Sequence, residues 1–200
     1  MIETLEMALN PLDRYKGTKA PDEVRKSDVV IDKTIEGVLE NYEQALDFSD
    51  STWHDYIKAL AYKTILTPEQ ITQFLKATKA FESCNNYVWN TGYFVSGLIQ
   101  ASYDAGHNDF VLDTRNLPAL DYLCAKVEGK EEKHLKVIID GKAGSWCGLY
   151  AKYLVLKAQK VEAYCPHKSS HCEIKIQKAE VYCRNPKLGF CISDFSEDMH

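Results

Sequence analysis

The sequence predicts an α+β chain, with an N-terminal helical bundle followed by a short parallel β-solenoid of 18-residue coils, three to four turns in all. Three observations lead there. Apolar residues between 27 and 108 recur at three- and four-residue steps, the period of a helix with one buried face. Cys147, Cys165 and Cys183 each follow an aromatic residue and stand eighteen residues apart, and self-similarity at a short fixed period indicates a solenoid. Between these cysteines apolar and polar side chains alternate, as they do along a strand.

Composition sets the outer bounds. The chain has 200 residues, 45% hydrophobic and 26% charged, with a formal net charge of −5. Those are ordinary globular proportions. The acidic balance speaks against a nucleic-acid partner, which needs a basic footprint to displace counterions. Charge is unevenly spread: residues 1–108 carry 10 basic and 16 acidic side chains, and residues 109–200 carry 14 and 13. This shift places a boundary near residue 108. No stretch approaches the roughly 20 apolar residues that span a bilayer. The opening MIETLEMALN lacks a basic, apolar leader, and the seven cysteines are an odd number. Together these suggest a cytoplasmic chain with free or metal-bound thiols.

The expected organisation is a polar arm over residues 1–26, a helical cap over 27–108 and the β-solenoid over 109–200. Ser27 can cap a helix over residues 28–46, with Ile31, Ile35, Val38, Leu39, Tyr42 and Leu46 on its buried face. Ser51 can cap a second over 52–65, through Trp53, Tyr56, Ile57, Leu60 and Ala61. Thr67-Pro68-Glu69-Gln70 reads as a capping box with proline at the first helical position, opening a helix to about residue 82. A fourth helix, about 86–105, is apolar nearly all round, as a central helix covered by others would be. Gly106-His107-Asn108 ends it.

In the second half, residues 156–165 and 174–183 are identical at six of ten positions. Leu154, Leu156 and Ala158 share the inside with Ile174 and Ile176. At Gln159-Lys160, and again at Gln177-Lys178, the apolar parity slips by one, as at a corner between two strands. Residues 110–129 fit either an earlier coil or a helix at 117–123.

The stretch Gly141-Lys142-Ala143-Gly144-Ser145-Trp146-Cys147-Gly148-Leu149-Tyr150-Ala151-Lys152, followed by Leu154-Val155-Leu156, resembles one coil of the glycine-patterned right-handed β-helix. That domain is known from the C-terminal part of the glutamate synthase large subunit and from a subunit of formylmethanofuran dehydrogenase. Gly141, Gly144 and Gly148 fall at the family's glycine positions. The resemblance implies a structural and packing role, since in that family the coils are not the catalytic centre.

Four groups of residues could carry function. Cys165, His167, His171 and Cys172 offer thiolate and imidazole, the ligands zinc prefers. Asp104, His107 and Asp109, between the halves, set a histidine among carboxylates, as a general base or a metal ligand requires. Asn85, Asn86 and Asn90 near the central helix need amide partners if buried. Outward Trp146, Tyr164 and Tyr182 form an aromatic column, with Glu162 and Glu180 beside the last two. The leading expectation is a non-enzymatic scaffold or protein-interaction module without cofactor. Its partner is another protein or a second copy of the chain, met through the solenoid face or end, with neither nucleic acid nor membrane. The alternative is a zinc-dependent enzyme or sensor built on Cys165, His167, His171 and Cys172.

Overall fold

The computed structural model describes residues 33–49, 51–163, 165 and 168–181. Among the described residues four α-helices precede one four-stranded parallel sheet. Helix α1 spans Lys33–Leu46, α2 His54–Tyr62, α3 Pro68–Ala77 and α4 Tyr87–Asp104. Strand β1 spans Asp109–Asp113, β2 Leu135–Ala143, β3 Leu154–Ala163 and β4 Glu173–Val181, and the sheet follows that order. The proposed polar arm, and the start of the first expected helix, lie outside the described residues. Among the described residues no helix is long and apolar enough to cross a membrane.

The helices follow their sequence signals closely. In α3, Thr67 accepts from the Gln70 backbone N–H, and the Gln70 side chain accepts from the Thr67 N–H at 2.9 Å. Past Ala77 the chain tightens into a 3₁₀ turn, Thr78–Phe81. Helix α2 starts later than its hydroxyl suggests. Ser51–Trp53 form a 3₁₀ turn, and the N-cap position falls to Trp53, which makes no capping bond. Helix α4 is buried on nearly every side. Tyr42 of α1 packs edge-on against Phe74, Phe81 and Phe94 at 5.3–5.5 Å between ring centroids. Its buried hydroxyl meets Thr91 Oγ1 at 2.6 Å.

The expected β-solenoid of three to four 18-residue coils is not what the chain forms. Its second half holds one short sheet of parallel strands. Strand β3 runs unbroken through Gln159-Lys160, and β4 through Gln177-Lys178, where corners were expected. The β2–β3 register shifts between Ile139 and Lys142, with the extra residue in β2, while β3 and β4 stay in register across the parity slip, Ala158 with Ile176 and Lys160 with Lys178. Nor is eighteen a common period. Phe110 pairs with Val137 and Leu135 with Leu154, and the eighteen-residue step holds between β3 and β4 and beyond the bulge in β2. Residues 117–123 form neither a coil nor a helix, but turns with one bridge from Leu120 to Ala143.

The sheet's inner face carries Phe110, Leu112, Leu135, Val137, Ile139, Leu154, Leu156, Ile174 and Ile176, each at most 2% exposed. Helix α3 lies along β1, where Thr72 Oγ1 donates to Val111 O at 2.7 Å. Helix α4 lies along the connection over residues 114–134. Its Ser96, Gln100 and Tyr103 share one helix face at four- and three-residue steps. Ser96 Oγ accepts from Ala125 N–H at 3.1 Å and lies 3.0 Å from Tyr122 O. Gln100 bonds both the N–H and the C=O of Glu128. The Tyr103 hydroxyl accepts from Lys130 N–H and donates to Lys133 O. Gly92 makes this approach possible, because a Cβ there would overlap the carbonyl oxygen of Asp121. Gly92→Ala should therefore lower the free energy of unfolding by about 3 kcal/mol, the upper part of the usual overpacking range. Urea denaturation measures it, and a loss below ~0.5 kcal/mol, the level of an ordinary surface substitution, would mean that the contact yields easily.

Candidate functional site

The successive connections stack on one another much as the strands do. Tyr122 N–H donates to Ser145 O, Gly148 N–H to Leu123 O and Lys126 N–H to Leu149 O. Corresponding positions share a left-handed backbone: Tyr122 and Trp146 (φ 60° and 62°), Cys124 and Gly148 (59° and 71°), Lys126 and Tyr150 (53° and 55°). This repetition lines up side chains from segments far apart in sequence.

One aromatic run results. The His54 ring lies 4.0 Å from Tyr93, Tyr93 lies 4.5 Å from Tyr122, and Tyr122 lies 6.5 Å from Trp146, with interplanar angles of 18°, 23° and 7°. Tyr93 is buried, and Tyr122 and Trp146 are half-buried. Next to His54 in the chain, Trp53 stacks on Phe48 at 4.9 Å, and Tyr56 meets both rings edge-on. Asn90 fixes the Phe48 loop to the start of α4, donating to Ala45 O at 2.8 Å and Phe48 O at 2.9 Å. Trp89 precedes it and is 46% exposed; Trp53 is 42% and Tyr56 46% exposed.

A carboxylate sits among these rings. Asp121 Oδ1 accepts from Ser145 N–H at 2.6 Å, and the Trp89 side chain donates to the same carboxylate. Gly144 gives it room, since a Cβ there would overlap Oδ1. Partial burial, reinforced by the charge of Glu162, raises the Asp121 carboxyl above its ordinary range, against the pull of its hydrogen bonds.

Of the residues singled out from sequence, Trp146 lies on this run, whereas Tyr164 and Tyr182 fall outside the described residues. The proposed zinc ligands are dispersed where they are described. Cys165 is buried in the core. His171 is exposed and stacks on Tyr153 at 4.8 Å. Cys172 Sγ lies 3.2 Å from Ser170 O and 3.5 Å from Ala151 O. His167 is outside the described residues. Among the described residues no group of three or more His, Cys, Asp or Glu is placed to hold a metal ion. Cys147 and Cys165 do meet: a thiol–thiol hydrogen bond, with burial, holds Cys147 well above the ordinary thiol range. Cys124 is also fully buried, and burial, with Cys147 close by, raises its own thiol well above the ordinary range. Cys183 is not described.

The other candidates are engaged separately. Asp104 accepts from Tyr62 OH at 2.6 Å and from Gln100 Nε2 at 3.1 Å, while Asp109 pairs with Lys136 at 3.4 Å. Asn90 satisfies loop backbone, as above. Asn86 is the N-cap of α4 without a capping bond. The chain matches no protein-family model, no curated protein and no solved structure.

Sequence reading missed Asp121, Trp89, His54, Tyr93 and Tyr122. Their proximity is set by the packing of α2 and α4 on the connection over 114–134. Lys58 was missed likewise. It is half-buried behind the run and donates from Nζ to Lys126 O. Burial, with Lys126 close by, pushes its ammonium down to about 8. The folded chain then releases this proton at lower pH than the unfolded chain, whose lysine titrates near 10.5. Between those values the unfolded state binds more protons, so stability rises with pH. Relative to Lys58→Met, the wild type should gain urea resistance as pH rises from 8 to about 10.5, and a difference that stays constant across that window contradicts the assignment.

Proposed function

We propose that this chain is a protein-interaction module whose contact face takes in the Phe48–Trp53–Tyr56 cluster, Trp89 and the stack from His54 to Trp146. One observation carries the reading. The sequence has three tryptophans. They come from a 3₁₀ turn, a helix and a connection; Trp53 and Trp89 are exposed and Trp146 is half-buried. Tryptophan and tyrosine are enriched at the centres of interfaces, where they contribute large rigid contact area. Packing inside the fold leaves Trp53, Tyr56 and Trp89 with more than two-fifths of their surface in water, and a partner would cover it. The proposal also includes Tyr164 and Tyr182, which lie outside the described residues.

The test combines light scattering with affinity capture on the full chain. The wild type should self-associate or retain a partner, and the triple variant Trp53→Ser, Trp89→Ser, Trp146→Ser should lose that association. Circular dichroism must show both folded. Unchanged association in a folded variant would rule out this face.

A further inference from the structure

Resting on that reading, we infer that the surface around Asp121 receives an arginine side chain of the partner polypeptide. Asp121 is held from two sides, by Ser145 N–H at 2.6 Å and by the Trp89 side chain. A carboxylate offers about four acceptor positions, so about two remain. Glu162 on β3 adds a second negative charge close enough to act on Asp121. Among the described residues neither carboxylate has an ion pair, whereas Asp55, Asp109, Asp113, Glu128 and Asp140 each have one. A cation brought here meets charge that the fold leaves uncompensated among those residues.

The surrounding rings select the kind of cation. Trp89 is 46% exposed beside Asp121, and Tyr122 follows Asp121 directly. A guanidinium is planar, weakly hydrated and able to lie against an indole face while donating to a carboxylate. A lysine ammonium is compact and strongly hydrated, and gains less from such a wall. Fixed donors and Gly144 against the carboxylate, with Gly92 packed on the Asp121 main-chain carbonyl, hold the acceptor in place, so little ordering remains to be done on binding. The partner therefore presents an exposed arginine, with apolar or aromatic neighbours for Trp53 and Tyr56.

Fluorescence anisotropy of the full chain tests this with two labelled glycine-serine peptides of equal length, one carrying three arginines and the other three lysines. The arginine probe should bind about tenfold more tightly, the span of one good cation–π contact in a partly desolvated site. Asp121→Asn, nearly isosteric and still able to accept from Ser145, should remove most of that preference, and so should Trp89→Ala at its exposed position. Equal binding of the two probes, or an arginine preference that survives both substitutions, overturns the inference. So does an arginine probe that does not bind. If that occurs while the tryptophan triple variant still loses its partner, the interaction module stands and only its arginine site is lost.

Discussion

Everything in this structure that concerns the surface depends on one set of hydrogen bonds, those from helix α4 to the connection over residues 114–134. That segment follows the first strand of a parallel sheet and has no strand on its helical side. Backbone groups that no neighbouring strand pairs need other partners. Ser96, Gln100 and Tyr103 supply the partners in a single row, bonding backbone groups of Ala125, Glu128, Lys130 and Lys133. The row explains why a helix buried nearly all round still carries polar side chains at these steps. It also fixes the axial position of α4, and with it the height at which Trp89 and Tyr93 meet Asp121 and Tyr122.

The same contact explains two glycines. Gly92 and Gly144 approach Asp121 from the helix and from the following connection, and neither position has room for a Cβ. Gly92 meets the Asp121 main-chain carbonyl and Gly144 its carboxylate, which is partly buried and keeps its hydrogen bonds to Ser145 and Trp89. Burial dominates in raising its carboxyl. An isolated surface aspartate would have none of these constraints. Close helix packing thus acts on backbone geometry first and on the electrostatics of one side chain second.

The helices were legible because their signals are local. Thr67-Pro68-Glu69-Gln70 contains within four residues all that the capping box needs, and α4 announces its burial by lacking a polar face. The sheet was legible as parallel strands with Leu154, Leu156, Ile174 and Ile176 inside, yet its architecture was misread. A parity slip at Gln159-Lys160 suggests a corner, yet β3 and β4 run through it as continuous strands in register with each other. The cysteine column was found through Cys147 and Cys165, but its buried neighbour Cys124 belongs to a connection of different length, so no constant period reaches it. The aromatic run was harder still. Only Trp146 belonged to a repeat, and His54, Trp89, Tyr93 and Tyr122 become neighbours through contacts between α2, α4 and a connection that follows β1.

The backbone at Tyr122 and Trp146 bears on why aromatics stand there at all. Both occupy left-handed conformations, at φ 60° and 62°, which cost a residue with a Cβ roughly 1–2 kcal/mol. Glycine avoids that cost, and the chain uses Gly148 where the preceding connection has Cys124. Inside the fold Tyr122 stacks on Tyr93 at 4.5 Å and on Trp146 at 6.5 Å, contacts of about 0.5–1.5 kcal/mol each beyond the area they bury, so stacking and burial work against the strain. Both residues stand beside Asp121, whose carboxylate accepts from Ser145 N–H and from the Trp89 side chain, so the left-handed connections bring their rings and this carboxylate to one place.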